Sequence, residues 1–121
     1  MVKTILFVRR RPDLSHEQFR EHYETRHAPL AVSVCPLIRR YVRNYFAPVE
    51  GRDWPFDVMT EFWFDSTQDR AATRNFAMSP AGEVLAADEA RFMDRASMTT
   101  FHVDERETNL PPAPAAPSAR R

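Results

Sequence analysis

The chain is poor in the residues that several kinds of site require. Only two glycines occur in 121 residues, Gly51 and Gly82. That excludes a glycine-rich loop cradling phosphate, of either the dinucleotide or the P-loop kind. The one cysteine, Cys35, excludes an intramolecular disulfide and a cysteine-built zinc site. Charge of neither sign dominates: 17 Lys and Arg face 17 Asp and Glu, for a formal net charge of zero. A protein that binds nucleic acid by neutralising phosphates needs a basic surplus, so no nucleic-acid partner is expected. The same balance argues against binding through membrane-surface charge. No apolar run approaches the ~20 residues that span a bilayer, so no membrane role is expected. The start, Met1-Val2-Lys3-Thr4-Ile5, runs into a strand pattern without a signal-peptide apolar region, and the expected location is cytoplasmic.

What the chain has is one domain's worth of residues, 43% of them hydrophobic, with 12% aromatics and four histidines. Residues 3–10 carry apolar side chains on both faces, Ile5 and Phe7 against Leu6 and Val8, as a strand buried on two sides does. Ser15 followed by Gln18 is a capping box that starts a helix. Its inward stripe is Phe19, Tyr23, Arg26/His27 and Leu30, and Pro29 should kink or restart it. Strand patterns follow at 37–46 and 56–65, separated by a Pro- and Gly-bearing loop from Ala47 to Pro55. Ser66 caps a second helix to about Met78, and Ser79-Pro80 opens another turn or helix to about Met93. A fourth strand is expected over 96–103.

The order predicts an α+β domain: a ferredoxin-like βαββαβ antiparallel sheet with helices on one face. Residues 1–106 form the domain, and the Pro- and Ala-rich stretch 107–121 reads as a disordered tail. The other sheet face is expected to expose Met59, Trp63 and Met98. Such a patch predicts a homodimer closed sheet to sheet.

The segment Ser15-His16-Glu17-Gln18-Phe19 followed by Tyr23-Glu24-Thr25-Arg26-His27-Ala28-Pro29-Leu30 resembles the first helix of EthD-domain proteins. Looser similarities are Arg40-Tyr41-Val42, Asp57 to Asp65, and Phe101-His102-Val103-Asp104-Glu105. The resemblance covers about residues 2–106. It implies a dimeric α+β barrel, a superfamily shared with muconolactone-type isomerases and small polyketide cyclases. It also implies a pocket between helices and sheet, and mostly cofactor-free isomerase, dehydratase, cyclase or decarboxylase chemistry. Other members are linked only to oxidative degradation of alkyl ethers, so the fold selects no single reaction.

His27, at the edge of the helix stripe, is the first candidate for proton transfer near neutral pH. It reads equally as a buried histidine satisfying backbone groups near Pro29. Glu61 shares a strand face with Met59 and Trp63. There it is either an acid or base with a raised pKa or one half of an ion pair with an arginine. Tyr41 and Tyr45 share a face of the second strand; a phenol there donates to a substrate oxygen or simply packs. Tyr23 on the helix stripe, Arg40 as a carboxylate binder, Trp63 as an aromatic wall and His102 beside Glu61 complete the substrate-binding candidates. Trp54 is a further aromatic candidate. Cys35 reads as inert. No two histidines have the spacing of a helical metal site, so neither metal nor cofactor is expected.

Three functions fit. The first is a cofactor-independent isomerase or lyase moving a proton beside the carbonyl of a small hydrophobic molecule, such as a lactone or polyketide. His27, Glu61 and Tyr41 would act, and Tyr23, Arg40, Tyr45, Trp63 and His102 would bind. The second is a non-catalytic ligand-binding or accessory protein of a degradation pathway. The third is a haem-handling or monooxygenase relative with His27 near the iron.

Overall fold

A computed structural model of the chain describes residues 1–47, 49 and 55–115. Most of the loop expected at 47–55, with Trp54, lies outside the described residues, as do the last six residues of the tail.

Strand β1 (Val2–Arg10) opens the chain. Helix α1 (His16–His22) starts on the expected capping box: Gln18 N–H donates to Ser15 Oγ at 3.1 Å, and Ser15 N–H donates to Gln18 Oε1 at 2.8 Å. The helix then widens into a π-turn, Tyr23–His27, in which the Ala28 N–H bonds to the Tyr23 carbonyl. Pro29 explains the widening. It offers no N–H to the Thr25 carbonyl, and its ring crowds that oxygen in an ordinary α-turn. Helix α2 (Ala28–Val34) restarts with Pro29 in its first turn, where the missing donor costs nothing. The π-turn leaves Tyr23 and His27 buried on the same side.

Strands β2 (Arg40–Tyr45) and β3 (Val58–Phe64) follow, then α3 (Thr67–Ala77) capped by Ser66. A single 3₁₀ turn (Pro80–Gly82) leads into α4 (Glu83–Phe92). Gly82 is required by close approach: a Cβ there would lie 2.3 Å from the Phe76 carbonyl oxygen and 2.5 Å from that of Ala77. Strand β4 (Met93–Val103) begins directly after Phe92, three residues earlier than the sequence pattern predicts.

The sheet is antiparallel throughout, in the order β2-β3-β1-β4, as expected of the α+β arrangement. Its helix-covered face carries Val8, Val58 and Thr60, all fully buried, with Leu6. These meet Phe19, Tyr23, Phe92 and Met93 in the main core. A second cluster joins Ala31 and Cys35 to Leu85. Each large apolar side chain buried there contributes roughly 1.5–3 kcal/mol.

Register corrects one expectation. Thr100 pairs with Leu6 and His102 with Thr4, so the even-numbered residues of β4 share the helix-side face. Met98 accordingly packs against the main core rather than beside Met59 and Trp63. The open face instead groups Phe7 with Phe46, Phe56 and Phe101, at centroid distances of 5.2–6.4 Å. Trp63 is also no bare patch. It is 6% exposed, sandwiched between the Lys3 ammonium (4.5 Å) and the Arg40 guanidinium (4.4 Å).

Residues 104–115 have no regular structure and are exposed. Among the described residues no helix is long and apolar enough to cross a membrane.

Candidate functional site

The π-turn aims two side chains at the sheet, and α4 brings two carboxylates to meet them. His27 is 4% exposed. Its Nδ1 lies 2.8 Å from Asp88 Oδ2, and His22 Nε2 lies 3.0 Å from Asp88 Oδ1. Burial pushes the Asp88 carboxyl up, but hydrogen bonds from His27 and His22 outweigh it and hold it below the usual range. The carboxylate is therefore ionised and can only accept, so both histidine nitrogens facing it donate. In a neutral His27 ring the basic lone pair then sits on Nε2. That nitrogen is 3.9 Å from Glu89 Oε2. Burial pushes the Glu89 carboxyl above the usual range, against the partial relief of His27 and Arg95. The Nε2 of His27 and a carboxyl pushed up by burial thus face each other.

A phenol chain continues from the other side. The Tyr23 ring stands edge-on to His27 at 5.6 Å. Tyr41 donates to the Tyr23 hydroxyl at 3.2 Å, and the Tyr23 and Thr60 hydroxyls are 2.8 Å apart. Burial raises both phenols, Tyr41 well above the usual range, so both stay neutral donors. Arg43 lies over the rings of Tyr41 (4.6 Å) and Tyr23 (5.8 Å). Its guanidinium grips Glu24 with two bonds of 2.8 and 2.7 Å, and Tyr45 donates to the same carboxylate. The Arg43 bond holds Glu24 below the usual carboxylate range.

The structure thus gathers His27, Tyr23, Tyr41 and, at the rim, Tyr45. It separates the other candidates from them. Glu61 lies on the open face, paired with Lys3 and accepting from Asn44 at 2.8 Å. Desolvation pushes its carboxyl up, but the bonds from Lys3 and Asn44 bring it below the usual range, opposite to the expected raised acid. His102, expected beside Glu61, is on the opposite face of the sheet, with Nδ1 3.2 Å from Thr4 Oγ1. Arg40 is stacked on Trp63, whose Nε1 donates to Glu105 at 3.0 Å. Cys35 is buried and its thiol is pushed up by burial, in line with an inert residue.

Asp88, Glu89, Glu24 and Arg43 were not among the sequence candidates. A signal for Asp88 existed: it stands in line with the buried Leu85 and Phe92, at helical spacing on the inward stripe of α4.

Two surface cavities lie away from the His27 ring. One, of about 280 Å³, is over α1 and includes His22 and Arg91. The other, of about 430 Å³, is at the end of the sheet and includes His102 and Arg70. Neither is lined by His27.

Residues 11–96 match the EthD domain. Among solved structures, an EthD family protein from Bacillus halodurans is 20% identical, with a TM-score of 0.65 over 88% of this chain and 100% of that one. The hydroxynitrile lyase of Passiflora edulis is 21% identical, with a TM-score of 0.59 over 88% of this chain and 96% of that one. A dimeric ferredoxin-like protein of unknown function from Bacteroides fragilis is 16% identical, with a TM-score of 0.55 over 88% and 95%. No curated protein matches the chain significantly.

Proposed function

The chain belongs to the EthD domain family, and from that membership we propose a small enzyme that moves protons beside a carbonyl group of a hydrophobic molecule without a cofactor. The observation that carries this is the His27 ring, fixed by Asp88 at Nδ1 with Nε2 turned to the partly buried Glu89. Nε2 takes a proton from the substrate carbon or hydroxyl. Glu89 holds or returns a proton on the other side of the exchange. Tyr23, kept neutral by burial and backed by the hydrogen bond from Tyr41, donates to the oxygen on which negative charge develops. This arrangement suits isomerisation, dehydration, cyclisation, or the cyanohydrin cleavage named for the Passiflora relative. His27 is enclosed, and on this reading substrate enters where the Glu24–Arg43 pair joins the π-turn to β2.

The homodimer belongs to this reading. The aromatic open face around Phe7 and Phe101 is the surface a second copy would cover, and the Bacteroides relative of this fold is dimeric. Phe101 is 50% exposed in the single chain. Phe101→Asp should therefore fold yet lower the mass measured by light scattering from two chains to one. A wild-type mass of one chain at micromolar concentration ends the dimer reading.

The chemistry is tested in D₂O by proton NMR. Lactones, β-keto esters and mandelonitrile serve as probes. Deuterium uptake beside the carbonyl, or release of benzaldehyde, is expected above the buffer rate and absent in a His27 variant. Binding of the probes with no exchange in any of them would favour the accessory ligand-binding reading, for which the enclosed position of His27 speaks.

A further inference from the structure

We propose that the cavity at the end of the sheet is a separate binding site for a small monocarboxylate, gripped by Arg70 with His102 beside it. This goes beyond the proton-transfer reading and does not depend on His27. The cavity holds about 430 Å³, in the range of small-molecule sites. It is formed where the start of β1 and the end of β4 meet the first turns of α3.

The charged side chains lining it are accounted for, except one. Lys3 is held by Glu61 and by Glu105, the latter at 2.9 Å. Glu105 also accepts from Trp63. Asp104 is taken by Arg106 at 2.9 Å. Arg70 is partly buried, and among the described residues its guanidinium has neither a hydrogen bond nor an ion pair. Arg70 therefore presents an unpaired guanidinium to the cavity, where an anion can complete it. His102 is anchored at Nδ1 by Thr4. Its Nε2 has no described partner and remains for a ligand oxygen.

The same inventory selects the anion. One unpaired guanidinium offers two parallel N–H groups to the two oxygens of a carboxylate. The neighbouring Glu105 and Asp104 carboxylates disfavour a phosphate dianion. Val2 and Val103 give the body of the molecule an apolar wall. A short hydrophobic acid satisfies all three.

The test uses benzoate and hexanoate as probes and inorganic phosphate as the competing anion. Titration of the ¹⁵N-labelled full chain is followed by NMR, reading the His102 ring and the Val103 amide. Both carboxylates should move these signals saturably, and phosphate should not. Arg70→Gln should weaken binding by about ten- to a hundredfold. Arg70→Lys, which keeps the charge and loses the fork, should fall between the two. The amide spectrum of each variant shows whether it is folded. Unmoved His102 and Val103 signals, equal binding to wild type and Arg70→Gln, or equal binding of phosphate and benzoate would each overturn the proposal.

Discussion

Two substitutions at His27 separate support from chemistry. His27→Ala removes the hydrogen bond to an ionised, buried Asp88, worth about 1.5–3 kcal/mol for a bond to a charged group. It also empties the space beside Phe92 and Tyr23, whose centroids are 5.1 and 5.6 Å from the imidazole. Asp88 keeps His22 and Arg91 as partners, so the carboxylate is not abandoned. The sum is about 3–4 kcal/mol. For a chain of this length that lowers the melting temperature by roughly ten degrees or more. His27→Asn is gentler. Its amide nitrogen lies near the position of Nδ1 and still donates to Asp88, while everything at Nε2 is lost. The expected cost is about 1–2 kcal/mol. If His27 is the proton carrier, both variants lose about two to four decades of exchange rate on whichever probe the wild type turns over. Melting temperature and rate are measured on the same preparation. An asparagine variant that is stable and nearly as fast as wild type would show that His27 is only a strut between the π-turn and α4. An asparagine variant as unstable as the alanine one would show that the Asp88 bond is not what the ring supplies.

Glu89→Gln tests the other half of the pair. With the folded pKa of Glu89 raised, wild-type stability is full below the ordinary glutamate range and falls as pH rises through the folded value. The glutamine variant should lack that fall and be at least as stable as wild type at neutral pH, while exchanging protons more slowly; parallel pH–melting curves for the two proteins would refute it. Gly82→Ala drives a Cβ to 2.3 Å from a backbone oxygen and should cost about 1–3 kcal/mol by thermal melting. Truncation after Asn109 should leave the melting temperature unchanged, because the exposed residues 110–115 bury nothing; a drop of several degrees would mean that the tail docks.

The fold was legible because its signals are local. The Ser15–Gln18 box, the break at Pro29 and the alternation along β1 and β3 each declare themselves within a few residues. What alternation cannot declare is which of two residue sets faces the helices. Met98, Thr100 and His102 were correctly grouped, yet only the pairing of Thr100 with Leu6 puts them on the helix side. The same limit separates Glu61 from His102. A carboxylate among apolar neighbours reads as a raised acid until Lys3, on the adjacent strand two positions from the Ile5 that pairs with Glu61, is seen to neutralise it.

The candidate site was half legible for a related reason. His27, Tyr23 and Tyr41 stand out by residue type. The partners of His27 on α4 are acidic residues of the sort that ordinarily cover a solvated helix face. Asp88 and Glu89 are distinguished only by direction: one falls on the stripe of Leu85 and Phe92, and its neighbour reaches round the flank toward the same imidazole. The two carboxylates then diverge in character. Asp88, tied to two histidines, is held below the usual carboxylate range, whereas burial pushes Glu89 above it. Adjacent groups pushed in opposite directions around one histidine are what proton transfer uses, one to orient the ring and one to exchange with it. A purely structural strut needs only the first. Glu89, more than His27 itself, is therefore the residue on which the proposed chemical reading of this cluster turns.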